Sequence, residues 1–313
     1  MTIVHVLYEN EAWLPPLADA LAARGVPFRP WFVEGGTLDL TRPAPDGVFV
    51  NRMSPSAHTR GHQGGVRYVA ELLAWLEASG RRVINGSSAF ALEVSKVRQD
   101  WTLRAHGIAT PDTLAVVGGD GLLEAARQLG APFVTKHNQG GKGLGVSLFR
   151  DLPAFEAHLA AGLLPDSPDG VTLLQRYIEP ASPFITRVEI VDGQFLYALQ
   201  SSTVGGFELC PADACQADSQ FCPVGGKGKF SQRTDVTADD PLVRRYLSYC
   251  ARHGLDVAGI EFVEDAHGRR YTYDVNANSN YNGTVEDHAG VRGMGALAEL
   301  CARELSAGAM AAK

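Results

Sequence analysis

Between Lys136 and Val146 the chain reads Lys-His-Asn-Gln-Gly-Gly-Lys-Gly-Leu-Gly-Val, and no other stretch narrows the choice of fold as sharply. The strand-like run Phe133-Val134-Thr135-Lys136 ends on a lysine. Glycines follow at positions 140, 141, 143 and 145, and Val146-Ser147-Leu148-Phe149 restarts a strand. Glycine lets backbone N–H groups come close to phosphate oxygens, and Lys136 and Lys142 bring positive charge. A Walker A loop would pass from Gly-Lys-Ser/Thr into a helix, and a dinucleotide-binding fingerprint would also open a helix. Both fit poorly with a run that leads into a strand. A phosphate clamp between two strands, or a plain glycine-rich hairpin, remains.

A second signal is acidic. Gly259-Ile260-Glu261-Phe262 and Tyr273-Asp274-Val275-Asn276 are strand-like and joined by a turn at 265–268. In an antiparallel hairpin Glu261 and Asp274 can share a face, and Asn276 shares it by the two-residue period of a strand. Two carboxylates and an amide oxygen form a hard oxygen site that suits Mg²⁺. The other reading is a solvated polar face, but Ile260, Phe262 and Val275 imply strands at least half-buried. A third signal is the strand Leu173-Leu174-Gln175-Arg176-Tyr177-Ile178, which breaks at Pro180 and could offer backbone groups to an adenine edge. Arg187, on the following strand, could meet a phosphate or be an ordinary surface charge.

The order of elements frames these motifs. In residues 1–95 short apolar runs (3–7, 28–33, 47–51, 82–85) alternate with helical spacing at 13–24 and 66–79. That alternation predicts a doubly wound, parallel α/β domain with its ligand-facing loops at 51–56 and 85–88. Pro30 suits an edge strand. Residues 93–106 read as one helix, and 96–117 as a linking helix and connector. Residues 118–175 look like a small α+β module. Strands beginning at 172, 184, 194, 257 and 271, with helices over 241–254 and 295–305, predict a mainly antiparallel sheet in 176–313. Residues 203–235 form a long irregular stretch of the kind that is functional or disordered in compact domains.

The chain has 313 residues and a formal net charge of -7, which argues against a nucleic-acid partner. No apolar run reaches the roughly 18 residues of a membrane span, and the first residues lack a basic leader. A cytoplasmic protein is the default expectation. Of the five cysteines, Cys210, Cys215 and Cys222 have no common zinc spacing and read as reduced thiols. Cys250 and Cys301 read as small buried hydrophobes.

Taken in order, these features resemble the ATP-grasp superfamily, in particular the ribosomal-protein-S6 glutamate ligases and their relatives. The resemblance runs from about Ser95 onward, and Asp274-Val275-Asn276 with the upstream Glu261 is its most specific motif. It implies an N-terminal α/β domain followed by two α+β subdomains that clasp ATP. It also implies that Lys96 and Lys136 approach the phosphates, with Lys142 among the glycines of a lid formed by Gly140, Gly141, Gly143 and Gly145. Gln175, Arg176, Tyr177 and Ile178 would line the adenine pocket. Arg187 would steady the γ-phosphate, acting in catalysis with Lys136. Glu261, Asp274 and Asn276 would hold Mg²⁺, with Mn²⁺ as an alternative.

The activity implied is amide or peptide-bond formation through an acylphosphate, on a small carboxylate and an amine such as an amino acid or peptide. A small-molecule kinase and a non-catalytic nucleotide-binding regulator are the alternatives on the same fold. Arg52, Ser54 and Arg60 form a polar cluster after a strand, where Arg52 or Arg60 could grip the carboxylate. Asn278 is a further candidate for substrate contact. Nothing predicts a membrane partner, and a homo-oligomer stays open.

Overall fold

The computed structural model describes residues 3–141, 143, 145–203 and 229–311. Lys142, Cys210, Cys215 and Cys222 fall outside them, as does most of the 203–235 stretch. Strands Val4–Tyr8 (β1), Phe28–Phe32 (β2), Val48–Arg52 (β3) and Arg82–Ile84 (β4) form a parallel sheet in the order β2-β1-β3-β4. β1 and β3 are buried almost throughout because both faces are covered. Helix Pro15–Ala23 (α1) packs Leu17 and Leu21 on the face of Val4, Val6, Val48 and Val50. Helix Gly65–Ala78 (α2) packs Val69, Leu72 and Leu73 on the opposite face, against Leu7 and Phe49. Pro30 sits on β2, an edge strand, as expected.

The helix expected over 93–106 begins a few residues later, as Lys96–Ala105 (α4), and Glu93 instead ends a separate helix, Ser87–Glu93 (α3). The break comes at Ser95, which is extended (φ -144°, ψ 103°) and whose hydroxyl accepts the Arg98 N–H at 3.3 Å. A serine side chain can compete for backbone donors in this way, so it favours a helix start over a helix interior.

A second sheet contains Thr113–Val117 (β5), Phe133–His137 (β6), Ser147–Phe149 (β7) and Val171–Arg176 (β8), antiparallel in the order β5-β8-β6-β7. Strand β8, expected to open the C-terminal sheet, is instead central here, paired with β5 and β6. The sheet also starts earlier than expected, at Thr113 inside the stretch read as a connector. Helices Leu122–Leu129 (α5) and Leu152–Ala160 (α6) close its own core around Phe133, Phe149, Phe155 and Leu174.

The third sheet contains Phe184–Val191 (β9), Gln194–Ser202 (β10), Phe230–Gln232 (β11), Val257–Glu264 (β12) and Arg270–Asn276 (β13), antiparallel in the order β11-β10-β9-β12-β13. Helix Pro241–His253 (α7) covers one face together with Leu92 of α3 and Leu103 of α4. Helices Gly283–Ala289 (α8) and Gly293–Ala311 (α9) lie on the other side. One apolar cluster runs from Val4 and Val50 through Leu297, Ala298 and Cys301 of α9 to Val191 and Leu199. It joins the first and third sheets. Cys250 and Cys301 are buried free thiols, as expected. Among the described residues no helix is long and apolar enough to cross a membrane.

Candidate nucleotide site

The β12–β13 register sets Glu261 opposite Asp274 and Gly259 opposite Asn276. The alternation of a strand then gives all three polar side chains one face. On the other side of β12, β9 sets Arg187 opposite Glu261. Arg187 donates to Glu189 at 2.6 Å, Glu261 at 2.9 Å and the Ser279 hydroxyl at 2.8 Å. Burial alone would disfavour the guanidinium charge, yet Glu189 and Glu261 hold its pKa above the ordinary value. Room for it comes from Gly259, where a Cβ would stand 2.0 Å from Arg187 Nη2.

Lys96, the first residue of α4, ion-pairs with Asp274. Burial opposes ionisation of Asp274, but Lys96 and then Lys136 hold its carboxyl below the usual range. Glu261 goes the other way: burial raises its pKa, Arg187 counteracts, and Asp274 raises it further. Lys136 projects from β6 in the second sheet. Its ammonium donates to Gln175 Oε1 at 2.9 Å and to the Tyr273 carbonyl at 3.4 Å. Burial, then the nearby Lys96, depress its pKa to about 7.

These groups surround a cavity of about 300 Å³ between the second and third sheets. Its wall includes Lys96, Lys136, Arg187, Glu261, Asp274 and Asn276. Gly140, Gly141 and Gly143 form one side, and Gln175, Arg176, Tyr177 and Ile178 another. Gly145 does not line it. Gly145 has φ +73°, and a Cβ there would meet the His137 ring at 2.9 Å, so its part is to let the loop turn. At the end of β8, the N–H groups of Arg176 and Tyr177 already donate to Asp112 O (2.8 Å) and Pro132 O (3.1 Å).

The two candidate arginines of the N-terminal domain do not line the cavity, although Ser54 and Asn278 do. Arg60 is held by Glu9 through two bonds of 2.9 and 2.5 Å, and the Glu9 side chain is fully buried. Its guanidinium therefore already has a carboxylate of this chain. Arg52 lies behind the wall, with 3% of its surface exposed. It donates to Asn280 Oδ1 at 2.7 Å, Ser279 O at 3.3 Å and Trp13 O at 3.4 Å, and its own carbonyl accepts from Asn278 Nδ2 at 2.8 Å. Arg52 thus braces the asparagine-rich turn after β13. Neither of the arginines that the sequence offered for a substrate carboxylate lines the cavity.

No family model matches the chain. A RimK domain ATP-grasp protein of Sphaerobacter thermophilus superposes over 95% of this chain and 98% of its own, with a TM-score of 0.68 and 19% identity. The chain has the ATP-grasp fold. The ATP-grasp ligase PsnB, solved with a minimal precursor, Mg and ADP, superposes over 96% of this chain and 97% of its own (TM-score 0.63, 15% identity). In sequence, a D-alanine–D-alanine ligase of Chromohalobacter salexigens is 27% identical over 250 residues, 78% of this chain and 71% of that protein. A second, from Synechococcus sp. (strain JA-3-3Ab), is 33% identical over 175 residues, 54% of this chain and about half (48%) of that protein.

Within this ATP-grasp frame, several residues around the cavity escaped sequence reasoning. Glu189 carried a usable signal, since it stands two residues after Arg187 on one strand and shares its face. Asn138 accepts the Val97 N–H at 2.9 Å and so ties the end of β6 to the start of α4. Glu93, pushed up to about 8 by burial, accepts from the Ala277 N–H just past β13. Nothing in the local sequence marks these last two, because their partners lie far along the chain.

Proposed function

We propose that the chain is a Mg-ATP-dependent carboxylate–amine ligase. The observation that carries this reading is the convergence of Lys96, Lys136, Arg187, Glu261 and Asp274 on one cavity, from a helix and two separate sheets. The donor set fits Mg²⁺: two carboxylates and an amide on one hairpin face, with phosphate oxygens left to complete the shell. There Mg²⁺ would neutralise charge on the transferring phosphoryl group.

The chain's own groups do the rest. Lys96 and Lys136 neutralise phosphate oxygens, and Arg187, fixed by two carboxylates and a hydroxyl, holds charge developing on the γ-phosphoryl group. A substrate carboxylate oxygen attacks the γ-phosphorus, and ADP leaves. The amine nitrogen then attacks the acyl carbon, the C–O bond to phosphate breaks, and the amine proton passes to solvent. Gly140, Gly141 and Gly143 close over the phosphates and exclude water from the acylphosphate. Gln175, Arg176, Tyr177 and Ile178 would offer backbone carbonyl oxygens to the adenine amino group. Amino acids and peptides are the carboxylate and amine classes in view, since the relatives include D-alanine–D-alanine ligases and a ligase complexed with a precursor.

The test is ADP release from Mg-ATP over a panel of amino acids, dicarboxylates and peptides, with hydroxylamine as trap. A carboxylate-dependent hydroxamate is expected. A stable phosphoester in place of the hydroxamate would identify a kinase, and nucleotide binding without turnover a regulator.

A further inference from the structure

β13 carries Asp274 and Asn276, yet among the described residues it is the last strand of its sheet and has a strand partner on one side only. Its outer edge is nevertheless bonded at Thr272 and Val275, and just beyond the strand at Ala277, by groups that are not a strand. The Thr272 N–H donates to Ala109 O at 2.8 Å. The Val275 N–H donates to Gln99 Oε1 at 3.0 Å, and Gln99 Nε2 donates back to Val275 O at 2.8 Å. Farther along, the Ala277 N–H donates to Glu93, and Ala277 O accepts from Asn85 Nδ2 at 2.5 Å. Gln99 is 2% exposed, and its second amide hydrogen goes to Leu92 O at 2.8 Å, across the break between α3 and α4. Its carboxamide meets both backbone groups of Val275 as a neighbouring peptide unit would.

We propose that Gln99 is a positioning residue for the divalent cation. Its side chain stands in for the missing strand at Val275 and so sets the pitch of β13 at the one residue between Asp274 and Asn276. It touches neither nucleotide nor ion. It acts through the Val275 backbone, and the helix break at Ser95 places it there. This rests on the proposed Mg-ATP reading of the site. Partners that fix a metal ligand's orientation typically change metal affinity by about 10- to 100-fold when removed.

The experiment titrates a fluorescent ADP analogue on the full chain at increasing Mg²⁺, alongside ADP release. In Gln99→Met, which keeps length but loses both bonds to Val275 and the one to Leu92 O, the Mg²⁺ concentration for half-maximal nucleotide binding should rise about tenfold. The maximal rate at saturating Mg²⁺ should stay within about twofold, consistent with a defect in affinity alone. Gln99→Glu, which keeps only the bond from the Val275 N–H, should shift in the same direction. Thr102→Val, on the same helix as Gln99, removes a buried bond to Tyr249 of α7 and should leave the Mg²⁺ dependence unchanged. An unshifted Mg²⁺ dependence in Gln99→Met, or an equal shift in Thr102→Val, overturns the proposal. Failure of both Gln99 variants to fold also counts against it, since a positioning role presumes a scaffold that survives the loss. If the wild-type chain itself binds no nucleotide in Mg²⁺, the functional reading fails instead.

Discussion

At the scale of single residues, Gly259 and Lys136 carry the sharpest consequences. Gly259 opens space for a guanidinium that three side chains hold in place. In Gly259→Ala the new methyl group displaces Arg187 from the cavity wall, and kcat should fall about 100-fold, the size seen when one charge-stabilising donor is lost. An unchanged kcat would remove Arg187 from the mechanism. Lys136, held at about 7 by burial and by Lys96, is mostly neutral in the free protein at pH 8. Phosphate oxygens alongside it favour the ammonium form, so nucleotide binding at pH 8 should take up about one proton. Calorimetry in buffers of different ionisation enthalpy reads this directly, and heats that do not depend on buffer would refute it. The same depression affects stability. Between about 7 and the ordinary 10.5, the unfolded chain carries more charge at this lysine than the folded one. The penalty is complete below that window and is relieved as pH rises through it.

Among the elements, β13 shows best what the sequence disclosed. Its own motif, Asp-Val-Asn with Glu261 on the partner strand, was legible, because strand alternation and hard oxygen chemistry are local properties. The residues that hold its outer edge were not, since Asn85, Glu93 and Gln99 lie more than 170 positions away along the chain from their partners on it. Asn85 is the firmest of them. It adopts φ +52°, is 1% exposed, and accepts the N–H groups of Asp256 (2.7 Å) and Val257 (3.0 Å) while donating to Val257 O and Ala277 O. Asn85→Ala leaves those buried backbone groups without partners and should destabilise the fold by about 3 kcal/mol or more in denaturant titration. A loss under about 1 kcal/mol would mean that water replaces the side chain. The misplaced β8 has a similar origin. Its apolar run Val171-Thr172-Leu173-Leu174 suits any buried sheet, and only pairing with β5 and β6 assigns it to the second.

At the scale of the whole molecule, the doubly wound first sheet and the antiparallel third were readable from alternation and spacing. How the sheets share their cores was not. The second sheet keeps a core of its own, while the first and third are joined through α9. The arginines of the N-terminal domain show the limit of the sequence at this scale. Arg52 and Arg60 sit in the loop region that an α/β sheet uses for ligands, but Glu9 and the asparagine turn take up their bonds. A buried carboxylate from another strand end leaves no trace near an arginine in the sequence.

The shared core also sets an order in time. Leu297, Ala298 and Cys301 complete a face of the first sheet that α1 covers only in part, so that face stays partly open until Gly293–Ala311 emerges from the ribosome. For most of its synthesis the nascent chain leaves part of that apolar surface facing water.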